Sequence, residues 1–416
     1  MKRITLYILL SLPLFTFGQN STPEFGPHYL NVNSYISIEA DNLNTNFLNT
    51  MLYGGFITDE MKNNWVNSGD KTNRINAELT NGFGYRYTTK KYSNYYFQFS
   101  DVNQINSSFT DDLLKLTFHG NYNYQGDTLD FSNTILRASR YQQYKFGYGF
   151  SLFHKENIWT VNTSLSYLVG NHHAQLNVNN GSLYTAETGT SLDIKYDINA
   201  MMTDSSDLSL FAGNGNGIAM DFVLSYTKDY NTFGIHIRNL GYINWNENSI
   251  IANTDSSFNF TGIEVNNFNS LPEFNDSIMD ISFSQNTSSF RSFIPARITL
   301  SYSKTLYHKY FNSISIFSHS RWQPYQVKGG LNWDLFHRGF KESGYTSSLD
   351  VSSNIDLKYI NSTIGFNMGG FTDETKILLT LSDKKGILTI GTYHLNELFK
   401  KDKTSLSAFI QLQTRF

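Results

Sequence analysis

Apolar and polar residues alternate with a period of two through most of this chain. From Ser405 to Phe416, the side chains of Leu406, Ala408, Ile410, Leu412, Thr414 and Phe416 share one face of an extended strand. Ser405, Ser407, Phe409, Gln411, Gln413 and Arg415 occupy the other, giving one greasy and one mostly wet face. The same rhythm sets Met220, Phe222, Leu224 and Tyr226 against Asp221, Val223, Ser225 and Thr227. It sets Trp159, Val161, Thr163, Leu165 and Tyr167 against Thr160, Asn162, Ser164 and Ser166, and recurs in Ile298 to Leu306 and Ile75 to Tyr87. With further candidates between 92 and 394, the pattern predicts about 14 strands, most near the roughly 9–11 residues that cross a bilayer.

Alternation alone does not name the solvent, since a soluble periplasmic sandwich alternates too. Aromatics mark strand ends, as at Trp159 and Tyr167 or Tyr302 and Tyr307, where a membrane-interface girdle would lie. Very short connections, Lys228 to Asn231 and Asp383 to Gly386, sit among long polar ones. Mean hydropathy is −0.36, which argues against a helical membrane protein but suits strands with one face to lipid and one to a wet lumen. The expected fold is therefore all-β: a transmembrane antiparallel β-barrel of about 14 strands with a short helical N-terminal segment. Ser100 to Gln142, Asn171 to Asn216 and Asn246 to Arg291, the last containing Leu271-Pro272-Glu273, are expected to be extracellular loops.

The amino-terminal end reads as an export signal. Lys2 and Arg3 precede an apolar run from Ile4 to Phe17, shorter than the roughly 20 residues of a spanning helix. Thr16-Phe17-Gly18 predicts cleavage after Gly18, so residues 1–18 are assigned to a signal peptide and the destination is the cell outer membrane, in contact with its lipids. Residues 19–70 form a separate N-terminal segment. Leu43, Phe47, Leu48, Met51 and Leu52 recur at helical spacing and Thr58 to Val66 predicts a second helix, either as a plug in the lumen or as periplasmic helices beneath the rim. Residues 71–416 are assigned to the barrel. The chain has no cysteine, which removes disulfides and a lipid-anchored cysteine, and its net charge of −3 gives no reason to expect a nucleic-acid partner.

Three short stretches carry a family resemblance: Phe47 to Asp59, Leu113 to Asn121 with Tyr124-Gln125-Gly126, and Phe146-Gly147-Tyr148-Gly149-Phe150. They resemble an uncharacterised family of Bacteroidota outer-membrane β-barrels, similar in outline to FadL-type barrels. That resemblance implies a barrel that passes or binds small, hydrophobic molecules. Related Bacteroidota barrels also serve secretion and gliding machinery, so the alternative it implies is a non-transporting scaffold or anchor in a secretion, gliding or surface complex. FadL's ligand residues have no counterparts here that can be matched.

Chemistry is sparse in this sequence. Only His172 and His173 are adjacent among ten histidines, and they are expected on a solvated loop without a third metal ligand. Gly213-Asn214-Gly215-Asn216-Gly217 lacks the lysine and helix of a phosphate loop, and no Gly-x-Ser-x-Gly elbow occurs. An enzyme is not expected, and neither a cofactor nor a metal is assigned. One polar constellation stands out. If Asp229-Tyr230 is a two-residue hairpin turn, Phe222 pairs with Ile237, Leu224 with Ile235 and Tyr226 with Phe233 on the outer wall. The same register sets Asp221 opposite Arg238 in the lumen, with His236 two residues away. These three are the candidate ligand-binding or gating residues, against a structural ion pair that merely fills a narrow barrel.

Overall fold

The computed structural model describes residues 27–41, 46–47, 50, 54–68, 72–89, 92–155, 157–204, 209, 212–260, 284–308, 310–325, 333–372, 374–400 and 404–416. Its strands are β1 (His28–Ala40), β2 (Thr72–Thr88), β3 (Ser93–Thr110), β4 (Thr128–Asp130), β5 (Thr134–His154), β6 (Asn157–Thr185) and β7 (Leu192–Met202). They continue as β8 (Gly215–Lys228), β9 (Asn231–Trp245), β10 (Ile250–Phe260), β11 (Ser284–Thr287), β12 (Phe290–Phe293) and β13 (Ala296–Thr305). The last are β14 (Phe311–Trp322), β15 (Thr346–Asp356), β16 (Ile360–Gly370), β17 (Lys376–Asp383), β18 (Leu388–Thr392) and β19 (Ser405–Arg415). Among the described residues three helices interrupt them: α1 (Asp59–Ser68), α2 (Asp111–His119) and α3 (Trp333–Glu342). Fourteen of the strands close an antiparallel barrel, which leaves no sheet edge facing lipid. Closure is made by β1 against β19, from Tyr29↔Arg415 to Glu39↔Ser405.

The alternation in the sequence becomes the two faces of the wall. Outward residues form an apolar band: Phe146 is 62% exposed and Leu165 69%, with Ile218, Phe233, Leu300 and Phe366 beside them. Inward neighbours are polar and buried, among them Asn31, Asn33, Ser100, Ser164, Ser166 and Ser407. Many lumen-facing groups find a partner on a neighbouring strand or their own, as Gln143 does in Ser166 and Gln98 in Ser100, so hydrogen bonding offsets their desolvation. Trp159 packs on Tyr226 at 4.6 Å and Tyr230 on Tyr307 at 4.8 Å, a girdle at the end that carries the short turns. Two residues suffice between β8 and β9, where Asp229 takes φ 51°, a left-handed conformation that a short acidic side chain tolerates. Short turns and both strand termini share that end, as on the periplasmic side of such barrels.

The opposite, loop end departs from the sequence reading in four ways. The barrel does not start at 71, because His28–Ala40 is a wall strand held by both β2 and β19. The helix expected at Thr58 to Val66 forms as α1, yet it is neither a plug nor periplasmic. Trp65 and Phe47 pack on Ile75, Phe109 and Leu114 at the loop end. Ile75 and Phe109 have the parity of outward-facing Phe83 and Ile105, so α1 and α2 grip the outside of the rim. Two expected loops are largely strand: β3 runs to Thr110, and β6 extends to Thr185, where its upper half pairs with β7 and β7 in turn with β10. The sheet thus rises beyond the membrane band instead of dissolving into coil. Leu271-Pro272-Glu273 and residues 1–18 lie outside the described residues.

Candidate functional site: the lumen

Asp221, His236 and Arg238 all face the lumen, and the predicted register holds for Phe222↔Ile237, Leu224↔Ile235 and Tyr226↔Phe233. It breaks at the acidic residue. Beyond it Met220 pairs with Leu240, because Asn239 is bulged out of β9 at φ 56°. The Asn239 amide donates to Asp221 Oδ1 at 2.7 Å, and Lys145 Nζ on β5 donates to Oδ2 at 2.6 Å. The carboxylate is therefore paired with Lys145 rather than with Arg238. Arg238 instead stands directly opposite Arg297 of β13, and Arg297 opposite Arg321 of β14. His236 faces Thr299 of β13 and Val223 of β8. So the three residues share a lumen wall, but the ion pair expected between two of them is not formed.

Arg321 reaches across the barrel. Its Nη2 donates to Glu78 Oε2 on β2 at 2.9 Å, while its guanidinium lies 4.8 Å over the Phe371 ring. The circuit β14–β15–β16–β17–β18–β19–β1–β2 is seven steps of 14, half the circumference. Barrel diameter grows with strand number, so a round barrel of this size would keep opposite walls beyond the reach of two side chains. The barrel is pinched there. A second tie joins the same two sides: Asn106 Nδ2 of β3 donates to the Ser343 carbonyl at 3.1 Å, just before β15. Lys376 of β17 and Glu39 of β1 form a further buried ion pair.

Beside these ties the lumen is filled with apolar side chains. Trp245 (1% exposed), Ile243 (1%) and Leu168 (0%) pack with Tyr141, Val102, Ala219 and Ile294. Trp245 fits because Gly170 and Gly215 lie in its register row; a Cβ on Gly215 would stand 2.8 Å from the indole. Its Nε1 donates to Ser292 Oγ at 2.8 Å, so the one polar atom of the ring is satisfied. His173 stacks on the indole at 5.2 Å and is buried within β6, contrary to the solvated loop expected for His172-His173. Gln323 to Tyr325 closes the mouth above: the Tyr325 carbonyl accepts from Gln175, and its hydroxyl donates to the Asn199 carbonyl at 3.1 Å. A cavity among Asn76, Gln104, Asn106, Arg137 and Arg321 measures about 10 Å³, and one near Tyr29 and Arg86 about 20 Å³. Each has room for roughly one water. Outside the strands, burial pulls the His394 imidazole down to about 4, against the pull of Glu39.

Glu78, Lys145, Arg297 and Arg321 were beyond the reach of local reading. Alternation puts Arg297 on the wet face of its strand, but its alignment with Arg238 depends on β9 pairing with a strand more than 50 residues later. Glu78 and Arg321 are 243 residues apart.

The folded barrel resembles solved structures at low identity. The deltaS2S3 mutant of the TodX monoaromatic hydrocarbon channel matches with 8% identity and TM-score 0.46, covering 95% of this chain and 91% of that one. The toluene transporter TodX of P. putida matches with 7% identity and TM-score 0.42, over 95% and 91%. The translocator domain of the autotransporter NalP from Neisseria meningitidis matches with 8% identity and TM-score 0.34, over 95% and 90%. No curated protein is similar to the chain in a sequence search. Residues 10–369 match the model of DUF5723, and the chain belongs to this family of unknown function.

Proposed function

We propose that this protein is an outer-membrane barrel, sealed at its loop end, that acts as a scaffold or anchor in a secretion, gliding or surface complex. The observation that carries this reading is the pair of ties between opposite walls, Arg321 to Glu78 and Asn106 to Ser343, beside the Trp245 layer. Passage of a hydrophobic molecule needs a continuous path and an apolar pocket of several hundred cubic ångströms. The lumen offers polar walls, charged bridges and a close-packed apolar layer, and the two cavities named above each hold about one water. The raised sheet of β6, β7 and β10, with α1, α2 and α3 clasping the rim, provides the surface on which partners would sit. No reaction is assigned to any residue.

Native mass spectrometry of protein extracted gently from its own membrane tests the reading. The expected spectrum shows the chain held to a second protein. A chain carrying an extra few hundred daltons of apolar ligand, and no partner, would restore the transport reading.

A further inference from the structure

Three arginines stand side by side on the lumen wall, Arg238 on β9, Arg297 on β13 and Arg321 on β14, in consecutive cross-strand pairs. Like charges directly opposite one another across strands repel and destabilise a sheet. Two acids lie in range, Asp221 attracting Arg238 and Glu78 attracting Arg297, but their oxygens are hydrogen-bonded elsewhere. Glu78 accepts from Arg321, and both oxygens of Asp221 are engaged by Lys145 and the Asn239 amide. Among the described residues no hydrogen bond or ion pair engages Arg238 or Arg297, and Arg297 is open to lumen water. Tyr35, Tyr345 and Tyr393 surround Arg297 at electrostatic range. Two arginines in register across neighbouring strands supply the guanidinium donors that receive a phosphate or carboxylate, and rings of arginine select anions in pores.

We propose that Arg238 and Arg297 form an anion-binding site in the lumen for a small phosphate- or carboxylate-bearing solute. Along β9 the site lies between Trp245 and the turn to β8, and entry of its ligand from the turn end is part of the proposal. This inference does not depend on the scaffold reading, because a barrel that conducts nothing can still hold an ion.

The test is made on the full chain in detergent or nanodiscs, by calorimetric titration and thermal unfolding with inorganic phosphate, acetate and chloride as probes. Expected is saturable binding of phosphate or acetate that persists in excess chloride, with a matching rise in Tm. Phosphate alone would identify a phosphoryl solute, and acetate equally well a carboxylate. Arg297→Gln should weaken binding about tenfold or more and abolish the rise in Tm. Arg238→Gln gives the same reading should the first variant fail to insert, and Arg140→Gln, whose partner is Asp101, should leave binding unchanged. Absence of saturable binding in the wild type, equal competition by chloride, or full affinity in both Arg238→Gln and Arg297→Gln overturns the proposal.

Discussion

The two walls of one lumen are built on different principles. On the β5–β6–β8 side the central charges are matched and buried: Lys145 holds Asp221, Gln143 reaches Ser166 at 2.9 Å, and Leu168 packs under Trp245 of β9. On the β9–β13–β14 side Arg238 and Arg297 stand opposed, and water reaches them. The first wall behaves as a protein core turned inside a barrel, where the central ion pair is buried and apolar side chains pack beside it. The second keeps unspent positive charge at a cost in repulsion, which is the usual mark of a place reserved for a ligand. The difference separates residues that hold the barrel shut from residues that answer to something else.

The largest effect is expected where the packed wall is emptied. Trp245→Ala removes a fully buried indole from a bed of glycines and should cost about 3–5 kcal/mol in urea-induced unfolding. An unchanged midpoint would mean that the layer is not a core. Lys145→Met strands Asp221 as a buried, half-paired carboxylate and should cost about 3 kcal/mol, largely recovered in the double variant with Asp221→Asn. On the lipid face, Leu165→Arg sets a charge in the apolar band and should cost about 2 kcal/mol, whereas a serine-to-alanine change at inward Ser166 should cost less. Arg297→Gln, on the open wall, should fall within about 0.5 kcal/mol of the wild type, or stabilise, in buffer without phosphate or carboxylate. A loss as large as that of Lys145→Met would show the open wall to be structural after all.

The smallest effect concerns His394 at the loop end. Its folded pKa, about 4, lies below the ordinary histidine value because the ring is buried. The unfolded chain therefore binds the extra proton first as pH falls. Stability from this group is complete above about pH 6.5 and declines toward pH 4, by at most about 1.4 kcal/mol per pH unit. His394→Gln should flatten that part of the unfolding profile.

Much of the wall was legible because strand periodicity is local. Ser405 to Phe416 declares its two faces residue by residue, and Phe222 to Lys228 fixes its hairpin through a two-residue turn. What failed was set by contacts between distant segments. The Asn239 bulge slid Asp221 away from a simple pairing with Arg238, and nothing between Asp221 and Arg238 hinted at it. The first strand was missed although Leu30, Val32, Ile36, Ile38 and Ala40 alternate with other residues, because one of its partners is the last strand of the chain. Asn171 to Thr185 reads as a loop because the face it buries carries polar residues, Asn171, His173, Gln175 and Thr185, and so shows no greasy side.

The most direct test of the central claim is the electrical conductance of the purified protein in a planar lipid bilayer. A sealed lumen predicts insertion without steady ion current, and with no swelling of liposomes in sugar solutions. Stable open-channel steps from the folded wild-type protein, at ordinary salt and low voltage, would contradict it.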